Sequence, residues 1–438
     1  MMESRILKCI MLMSVLSLVL ASSLFASALK LNLKESISLA LRNNPQVLIS
    51  EEERKIADEK IVEARGDAFP EVKATADYNR LDSSPTFGER GIGLEDNFSV
   101  NLGLEQPLYT GGKVWSAVKT ANMFKEYSDL GNEVTRNNVI YSTKEGAYRI
   151  LSLRELVKIR AESVSLAAEL LDVTKKKFDA ELVSRYEVLR AEVKLANAKP
   201  PLIKTKNELA ITRDSFKKLL GLDLTVEIEL QGYLSYMPRE IISLGDAIDI
   251  SEKKRPDLNQ QRMIREMKKE NINIAKSGHR PKVSFFANYS GMYPPFGSQE
   301  REWDWGWNTG IKAELLIFNG FTTKSQVEQA SIEMRKADII YKDMKEEVKL
   351  EIRNALNSIQ DAIQLITSQE KNVEQAKEGL RIAEIRYKNE VSPQIEVLDA
   401  QVALAFAQVN RLQAIFAYKI AIAKLDLAMG EEMTNIRE

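Results

Sequence analysis

One fourteen-residue segment occurs twice in the chain, as FDAELVSRYEVLRA at Phe178–Ala191 and as YKNEVSPQIEVLDA at Tyr387–Ala400, 209 residues later. Both copies begin with an aromatic residue, carry a glutamate three positions on, and end in Glu-Val-Leu-x-Ala. Each lies where one long helical pattern ends and the next begins. The segment therefore predicts the turn of a helical hairpin, and its recurrence predicts a chain of two related halves.

Other blocks upstream of this segment recur in the same order. The matching pairs are Leu33–Ile37 with Leu244–Ile248, Pro45 with Pro256, Val72 with Val283, Tyr78 with Tyr289, and Leu108–Gly111 with Ile317–Gly320. The separation is 211 residues for the early pairs and 209 for the last. We expect a first structural repeat over 29–231 and a second over 232–438, joined at Gly232–Pro238. Each repeat reads helix, strand, strand, long helix, turn, helix.

The long helices follow from stretches without proline. Lys113 to Phe178 and Thr322 to Tyr387 contain none, and about 66 residues form a helix roughly 100 Å long. Apolar residues recur at steps of three and four, as in Ile352, Leu356, Ile359, Ile363 and Ile366. This heptad spacing predicts antiparallel hairpins over about 113–220 and 321–430, either as a coiled-coil spacer or as the wall of a tube. Pro200 and Pro201 predict an interruption of the first return helix.

Alternation with period two predicts four strands, at about 71–81, 96–108, 282–293 and 302–318. An ordinary antiparallel sheet on a core would alternate in the same way. The opposite face is rich in Asn, Asp, Lys and Glu, which favours a membrane barrel with a wet lumen. Trp303, Trp305 and Trp307 would then lie in an interfacial aromatic girdle, and core packing is the alternative. Four strands cannot close a barrel, so this interpretation requires several chains.

Composition excludes some classes of protein. The chain has 62 Lys and Arg against 63 Asp and Glu, so it carries no electrostatic signature of nucleic-acid binding. The single histidine, His279, lies before Pro281 at a predicted helix-to-strand junction. No P-loop or dinucleotide fingerprint is present, and the one cysteine is Cys9. We expect no enzymatic activity, no cofactor and no metal.

The first 28 residues read as a signal peptide. Arg5 and Lys8 precede a short apolar core, Ile10–Leu20, and Ala26-Ser27-Ala28 is a suitable cleavage site. An uncleaved anchor is the alternative. Cys9 precedes the apolar core and is badly placed for lipidation, so the mature chain is expected to begin at Leu29 without a lipid.

The duplicated hairpin, the strand pairs ending at Gly111 and Gly320, and the two Glu-Val-Leu-x-Ala segments together resemble the TolC-like outer-membrane efflux channels. The resemblance covers almost the whole mature length. It implies an α+β membrane protein whose helical hairpins form an α-barrel in the periplasm. Four strands per chain would contribute to a trimeric, 12-stranded β-barrel in outer-membrane lipid. Such a homotrimer takes small molecules or proteins from an inner-membrane transporter through a periplasmic adaptor, in efflux or type I secretion.

The resemblance also places the gate at the hairpin turns. Tyr387 falls on the gate tyrosine, Glu396 and Asp399 on the two acidic constriction positions, and Glu187 on the acidic gate residue of the first half. The adaptor-docking tip would comprise Glu181, Leu182, Val183, Ser184, Glu390, Val391, Ser392 and Pro393. For each acidic residue, a solvated charge on a helix face is the plainer alternative.

Two departures concern this gate. Glu181 and Glu390 stand where the family usually has glycine. Ser392 replaces the gate arginine of well-known members, and Arg185 could supply a substitute charge. Two other functions stay open on the sequence: a structural or adhesive envelope coiled coil anchored by its strands, and, more weakly, a periplasmic adaptor.

Overall fold

A computed structural model describes residues 29–83, 86–87, 90–91, 94–295 and 302–430. The predicted signal peptide, with Arg5, Lys8 and Cys9, lies outside the described residues. The helices are α1 Leu33–Asn43, α2 Pro45–Gly66, α3 Lys113–Asp179, α4 Arg185–Leu219, α5 Leu244–Lys254, α6 Pro256–Lys276, α7 Thr322–Lys388 and α8 Gln394–Met429. The strands are β1 Leu29–Leu31, β2 Glu71–Arg80, β3 Thr86–Phe87, β4 Arg90–Gly91, β5 Asp96–Tyr109, β6 Ile228–Leu230, β7 Lys282–Tyr293 and β8 Asp304–Glu314.

The chain divides into two compact units that do not follow the sequence repeat. One unit holds residues 29–49, 133–255 and 347–430, and the other holds Ser50–Asn132 and Pro256–Glu346. Each unit therefore combines matching segments from both repeats, and α3 and α7 contribute residues to both units. Within the described ranges, no helix combines the length and hydrophobicity that crossing a membrane requires.

The start of each repeat is capped in the same way. Asn32 Oδ1 accepts from the Glu35 N–H at 2.8 Å, and Glu35 Oε2 accepts from the Asn32 N–H at 2.9 Å, which forms a capping box on α1. Ser243, 211 residues later, caps α5 by accepting from the Asp246 N–H. The single helix predicted at each start is two helices, because Pro45 and Pro256 each begin a new one.

The seam of the second hairpin, between α7 and α8, is built from the predicted heptad positions. Ile352, Ile359 and Ile366 are fully buried and share one apolar cluster with Ile415 and Tyr418 from α8. The first hairpin packs in the same manner, with Val139, Ile150 and Leu153 of α3 against Leu209 and Phe216 of α4. Burying these side chains is the main stabilising term of both hairpins.

The predicted interruption of the first return helix is wrong, because α4 runs from Arg185 to Leu219 through Pro200 and Pro201. Both prolines are exposed, and the proline φ is itself compatible with a helix. The two carbonyl groups that lose an N–H partner therefore lie on a face where water can replace it. Thr205 Oγ1 adds a hydrogen bond of 2.8 Å to the Pro201 carbonyl.

The sheet has the order β2-β5-β7-β8 and is antiparallel throughout. Its register aligns apolar side chains in cross-strand rows, such as Ala74, Leu102, Tyr289 and Trp307. The adjacent row on the other face is Lys73, Gly103, Asn288 and Asn308, where Asn288 Nδ2 donates to Asn308 Oδ1 at 3.0 Å. One sheet face is thus apolar across all four strands, and the other is mostly polar, with Phe286 and Met292 of β7 as exceptions.

The last strand is shorter than predicted. The expected strand over 302–318 is observed only at Asp304–Glu314. Glu314 pairs with Lys282, the first residue of β7. The residue before Lys282 is Pro281, which has no N–H to donate. Leu315–Phe318 therefore have no strand beside them and are exposed. Among the described residues, β2 pairs only with β5 and β8 only with β7, so the sheet has two open edges.

The hairpin turns place glutamate in the left-handed region, with φ of 62° at Glu181 and 61° at Glu390. In the first turn the Leu182 N–H donates to the Lys177 carbonyl and the Glu181 N–H to the Phe178 carbonyl, both at 2.9 Å. In the second turn Val391 and Glu390 donate in the same way to Arg386 and Tyr387. Both turns are Schellman motifs, in which glycine is usual because a Cβ strains the left-handed residue.

We expect Glu390→Gly to raise the free energy of unfolding by about 0.5–1 kcal/mol, because it relieves this strain. Glu390→Val should lower it, since a branched Cβ tolerates positive φ least. The matched control is Glu374→Gly, an exposed position inside α7, which should cost about 1 kcal/mol. Thermal unfolding of the mature chain in detergent, followed by far-UV circular dichroism, measures all three. If Glu374→Gly stabilised the chain as Glu390→Gly does, relief of strain at Glu390 would not explain the result.

Candidate functional site

The predicted tip residues divide into exposed and buried positions. The tip side chains of Glu181, Leu182, Ser184, Glu390, Val391 and Pro393 are exposed, and Val183 is half-buried. Ser392 is buried, and its Oγ has no hydrogen-bond partner among the described residues. The tip therefore offers two apolar side chains, Leu182 and Val391, and two left-handed glutamates to anything that approaches it.

Tyr387 is the buried centre of this region, with 4% of its surface exposed. It packs in an apolar cluster with Leu170 of α3 and Val397 and Leu398 of α8. Its hydroxyl lies 3.3 Å from Thr174 Oγ1 and 3.4 Å from Glu187 Oε2. Burial raises the pKa of the Tyr387 phenol above its ordinary value, so the ring stays neutral. Two predicted gate residues, Tyr387 and Glu187, are thus brought together from different hairpins.

Three residues around Tyr387 escaped the sequence analysis as site residues. Thr174 Oγ1 donates to the Leu170 carbonyl at 2.8 Å and accepts from Gln394 Nε2 at 2.9 Å. Lys177 Nζ donates to the Tyr387 carbonyl at 2.6 Å and lies 4.5 Å from the centre of its ring. Thr174 interrupts an otherwise apolar heptad series, and this polar intrusion is the one signal that could have identified it.

The two predicted constriction residues are exposed on α8. Glu396 Oε2 lies 3.5 Å from Arg386 Nε, across the turn of the second hairpin. Both side chains are largely in solvent, so this pair adds little stability. Asp399 interacts with Lys194 of α4: burial lowers the pKa of Lys194, and the Asp399 carboxylate partly opposes that shift. The charges of Lys194 and Asp399 therefore act on each other, although the two form no ion pair among the described residues.

Arg185 does not join this cluster. Its guanidinium lies 5.9 Å from the centre of the Phe178 ring, across the turn of its own hairpin. In the part of the chain that the structure describes, Arg185 forms no ion pair with Glu187, Glu396 or Asp399. Its suggested role as a substitute for the missing gate arginine therefore has no supporting contact within one chain.

The three tryptophans of the predicted girdle lie along the apolar face of the sheet. Trp303 and Trp305 stack with ring centres 5.5 Å apart, and Trp305 stacks on Tyr289 at 5.4 Å. All three are exposed, Trp307 by 76%. They are not packed in a core within this chain.

Over the described ranges, no three His, Cys, Asp or Glu side chains are grouped to hold a metal ion. His279 is the last residue of a short 3₁₀ turn, Ser277–His279, and is exposed. Around Tyr387, hydrogen bonds between buried side chains join the two hairpins, from Thr174 to Tyr387 and to Gln394.

Comparisons with known proteins show which family this architecture resembles. The chain matches the family model described as outer membrane efflux protein over residues 36–222 and 247–431. Outer membrane protein TolC of Vibrio cholerae is 23% identical over 407 residues, covering 91% of this chain and 90% of that protein. TolC of Escherichia coli is 24% identical over 413 residues, covering 91% and 82% respectively. The crystal structure of VceC from Vibrio cholerae shares the fold, with a TM-score of 0.78 at 18% identity, covering 91% of this chain and 96% of that one.

We expect Tyr387→Ala to destabilise the chain by about 3–5 kcal/mol, because it removes a buried ring. Tyr387→Phe keeps the ring and loses only two long hydrogen bonds, so it should cost at most about 1 kcal/mol. Thermal unfolding in detergent gives both values. A phenylalanine variant as unstable as the alanine variant would show that the hydroxyl contacts, and not the packing, hold Tyr387 in place.

Proposed function

The chain belongs to the outer membrane efflux protein family, and from that premise we propose that three copies form one channel-tunnel. Family members are outer membrane efflux channels. We propose that this one carries small molecules or proteins from an inner-membrane pump, through a periplasmic adaptor, to the outside of the cell. The hairpins would form its periplasmic α-barrel, and the strands its share of a β-barrel.

The open edges of the sheet carry this proposal. β2 and β8 each have one unpaired side within the described residues, while one sheet face is apolar along all four strands. In a bilayer an unpaired backbone group costs several kcal/mol, so an apolar sheet must be closed. Four strands are too few to close one, and three chains supply twelve. Edge pairing of β2 with β8 of a neighbouring copy satisfies both edges at once.

The tip residues fit a closable end of such a tunnel. We propose that Tyr387 and Glu187 hold the hairpins together there, and that Glu396 and Asp399 face the pore. The exposed tip side chains, including Leu182 and Val391, would dock the adaptor. Trp303, Trp305 and Trp307 would lie at the lipid interface, where aromatic residues are enriched. The contact between Tyr387 and Glu187 across the two hairpins supports the first of these assignments.

The test is to purify the mature chain in detergent, determine its mass, and record single-channel currents in planar bilayers. We expect the mass of three chains and discrete conductance steps. The matched control is a variant with Asn101→Pro, which removes a backbone donor from the central strand β5. It should lose both the assembly and the currents. A monomeric wild-type protein without conductance would refute the channel and would favour an envelope coiled coil.

Ion selectivity tests the constriction. An inward carboxylate repeated three times concentrates cations in a narrow pore, so Asp399→Ala should weaken cation selectivity and block by multivalent cations. Lys194→Gln should act in the opposite direction, because it removes the positive charge that acts on Asp399. Lys199→Gln, an exposed lysine of the same helix, is the control. Reversal potentials in a salt gradient measure each variant. Equal reversal potentials for wild type and Asp399→Ala would show that Asp399 does not face the pore.

A further inference from the structure

An open groove of about 340 Å³ crosses the apolar face of the sheet. Its lining includes Val72 of β2, Leu104 of β5, Ala287 of β7 and Thr309 of β8. The register pairs each of these residues with the next, so they form one row that reaches across all four strands. We call this row the floor of the groove.

The floor is low at β7 and β8 because its side chains there are small. On one face of a strand, neighbouring side chains are two residues apart. The small pair Ala287 and Thr309 lies between two pairs of large side chains on this face. These are Tyr289 with Trp307, and Phe285 with Ile311. The difference in size leaves a depression between the two large pairs.

The groove stays open on one side because the Tyr289 ring leans away from it. Tyr289 stacks on Trp305 with ring centres 5.4 Å apart. Trp305 pairs with Gly291, which lies four residues beyond Ala287 along β7. The Tyr289 ring therefore forms a wall of the groove and does not cover Ala287.

The surface of the floor is made of carbon atoms. Val72, Leu104 and Ala287 have apolar side chains, and the Thr309 hydroxyl donates to the Phe286 carbonyl at 2.9 Å. That bond satisfies the hydroxyl hydrogen and leaves the threonine methyl group beside the groove. A polar occupant would lose its hydration against these four side chains without comparable hydrogen bonds in return. The floor therefore favours an aliphatic ligand over a polar one.

The position of the groove along the strands matches that of acyl chains in a bilayer. Thr309 is six residues from Trp303, or about 20 Å along a strand, and a barrel strand tilts by roughly 40°. The floor would then lie about 15 Å deeper than Trp303, near the middle of an apolar band about 25 Å tall. A groove that crosses tilted strands is itself oblique to the membrane, so a chain that enters from the interface can follow it.

We propose that this groove binds one acyl chain of a membrane phospholipid in each copy, with Tyr289 and Trp307 as one wall. The site rests on the proposed function, because only a barrel in lipid exposes the groove to acyl chains. A second copy would not fill it. Neighbouring copies meet at the open edges of β2 and β8, whereas the groove opens from the face of the sheet.

Trp307 reports on the groove because its side chain lines it. The mature chain, assembled in detergent micelles, is titrated with phosphatidylethanolamine whose acyl chains carry bromine, which quenches a tryptophan that it touches. The difference in fluorescence between wild type and Trp307→Phe isolates the signal of Trp307 from the other three tryptophans. We expect this signal to be quenched saturably as the lipid fraction rises, and to recover when unbrominated phosphatidylethanolamine is added.

Filling the floor should weaken this binding. Ala287→Leu is expected to raise the half-saturating lipid fraction by roughly tenfold, which corresponds to the loss of about two buried methylene contacts. Thr309→Leu fills the same floor from the neighbouring strand and should act alike, so it replaces the first variant if that one does not assemble. The matched control is Ala76→Leu, an exposed alanine on the same face and outside the groove lining. It should leave the half-saturating fraction unchanged.

Two results overturn the groove as a lipid site. One is quenching of Trp307 that rises without saturation, and the other is an equal half-saturating fraction in wild type and the leucine variants at Ala287 and Thr309. Failure of the channel proposal is a separate result, because it appears as a monomeric mass without currents in the wild type before any lipid is added.

Discussion

Within the described residues, the backbone N–H and C=O groups of β2 and β8 have strand partners on one side only. The unpaired edges of β2 and β8 constrain how the sheet can be completed. The register that pairs Ala74 with Leu102, Leu102 with Tyr289 and Tyr289 with Trp307 makes one sheet face apolar along its whole width. Such a face is stable only against lipid or another apolar surface, and unpaired edges are not tolerated in lipid. If this sheet lies in lipid, as proposed, one chain alone cannot complete it.

The helical hairpins meet a different requirement, because they must bury apolar surface over a great length. Ile352, Ile359 and Ile366 do so at full burial, at the strict spacing of seven. Around the turns the seam becomes mixed, since Thr174 and Gln394 carry hydrogen bonds where apolar residues would pack. A polar residue in an apolar seam lowers stability and fixes the relative placement of the helices. The chain therefore gives up stability near its turns, and not along the series Ile352, Ile359 and Ile366.

Much of this could be predicted from the sequence, and the failures have physical causes. Proline-free stretches place the ends of α3 and α7 within a residue or two, since a 67-residue helix leaves little freedom. The end of β8 at Glu314 could not be predicted from alternation, because it depends on where β7 begins. The prediction at Pro200 and Pro201 is wrong because both prolines are exposed, so water can replace the N–H donors that α4 loses there. The hydrogen bond between Gln394 and Thr174 joins residues 220 apart in the chain, so residue spacing could not predict it.

The two hairpin turns are stabilised by backbone hydrogen bonds, whereas the contact between the hairpins is stabilised by side chains. In both Schellman motifs the carbonyls of the last helical turn are satisfied by backbone N–H groups, so unwinding a turn would break several hydrogen bonds together. Glu181 and Glu390 already hold a strained φ that the surrounding bonds maintain. The contact between the hairpins near the turns is held instead by side chains, through the apolar cluster that includes Leu170 and Val397 and through the hydrogen bond from Gln394 Nε2 to Thr174 Oγ1. The turns therefore fix the shape of each hairpin, whereas the placement of one hairpin against the other depends on side-chain packing.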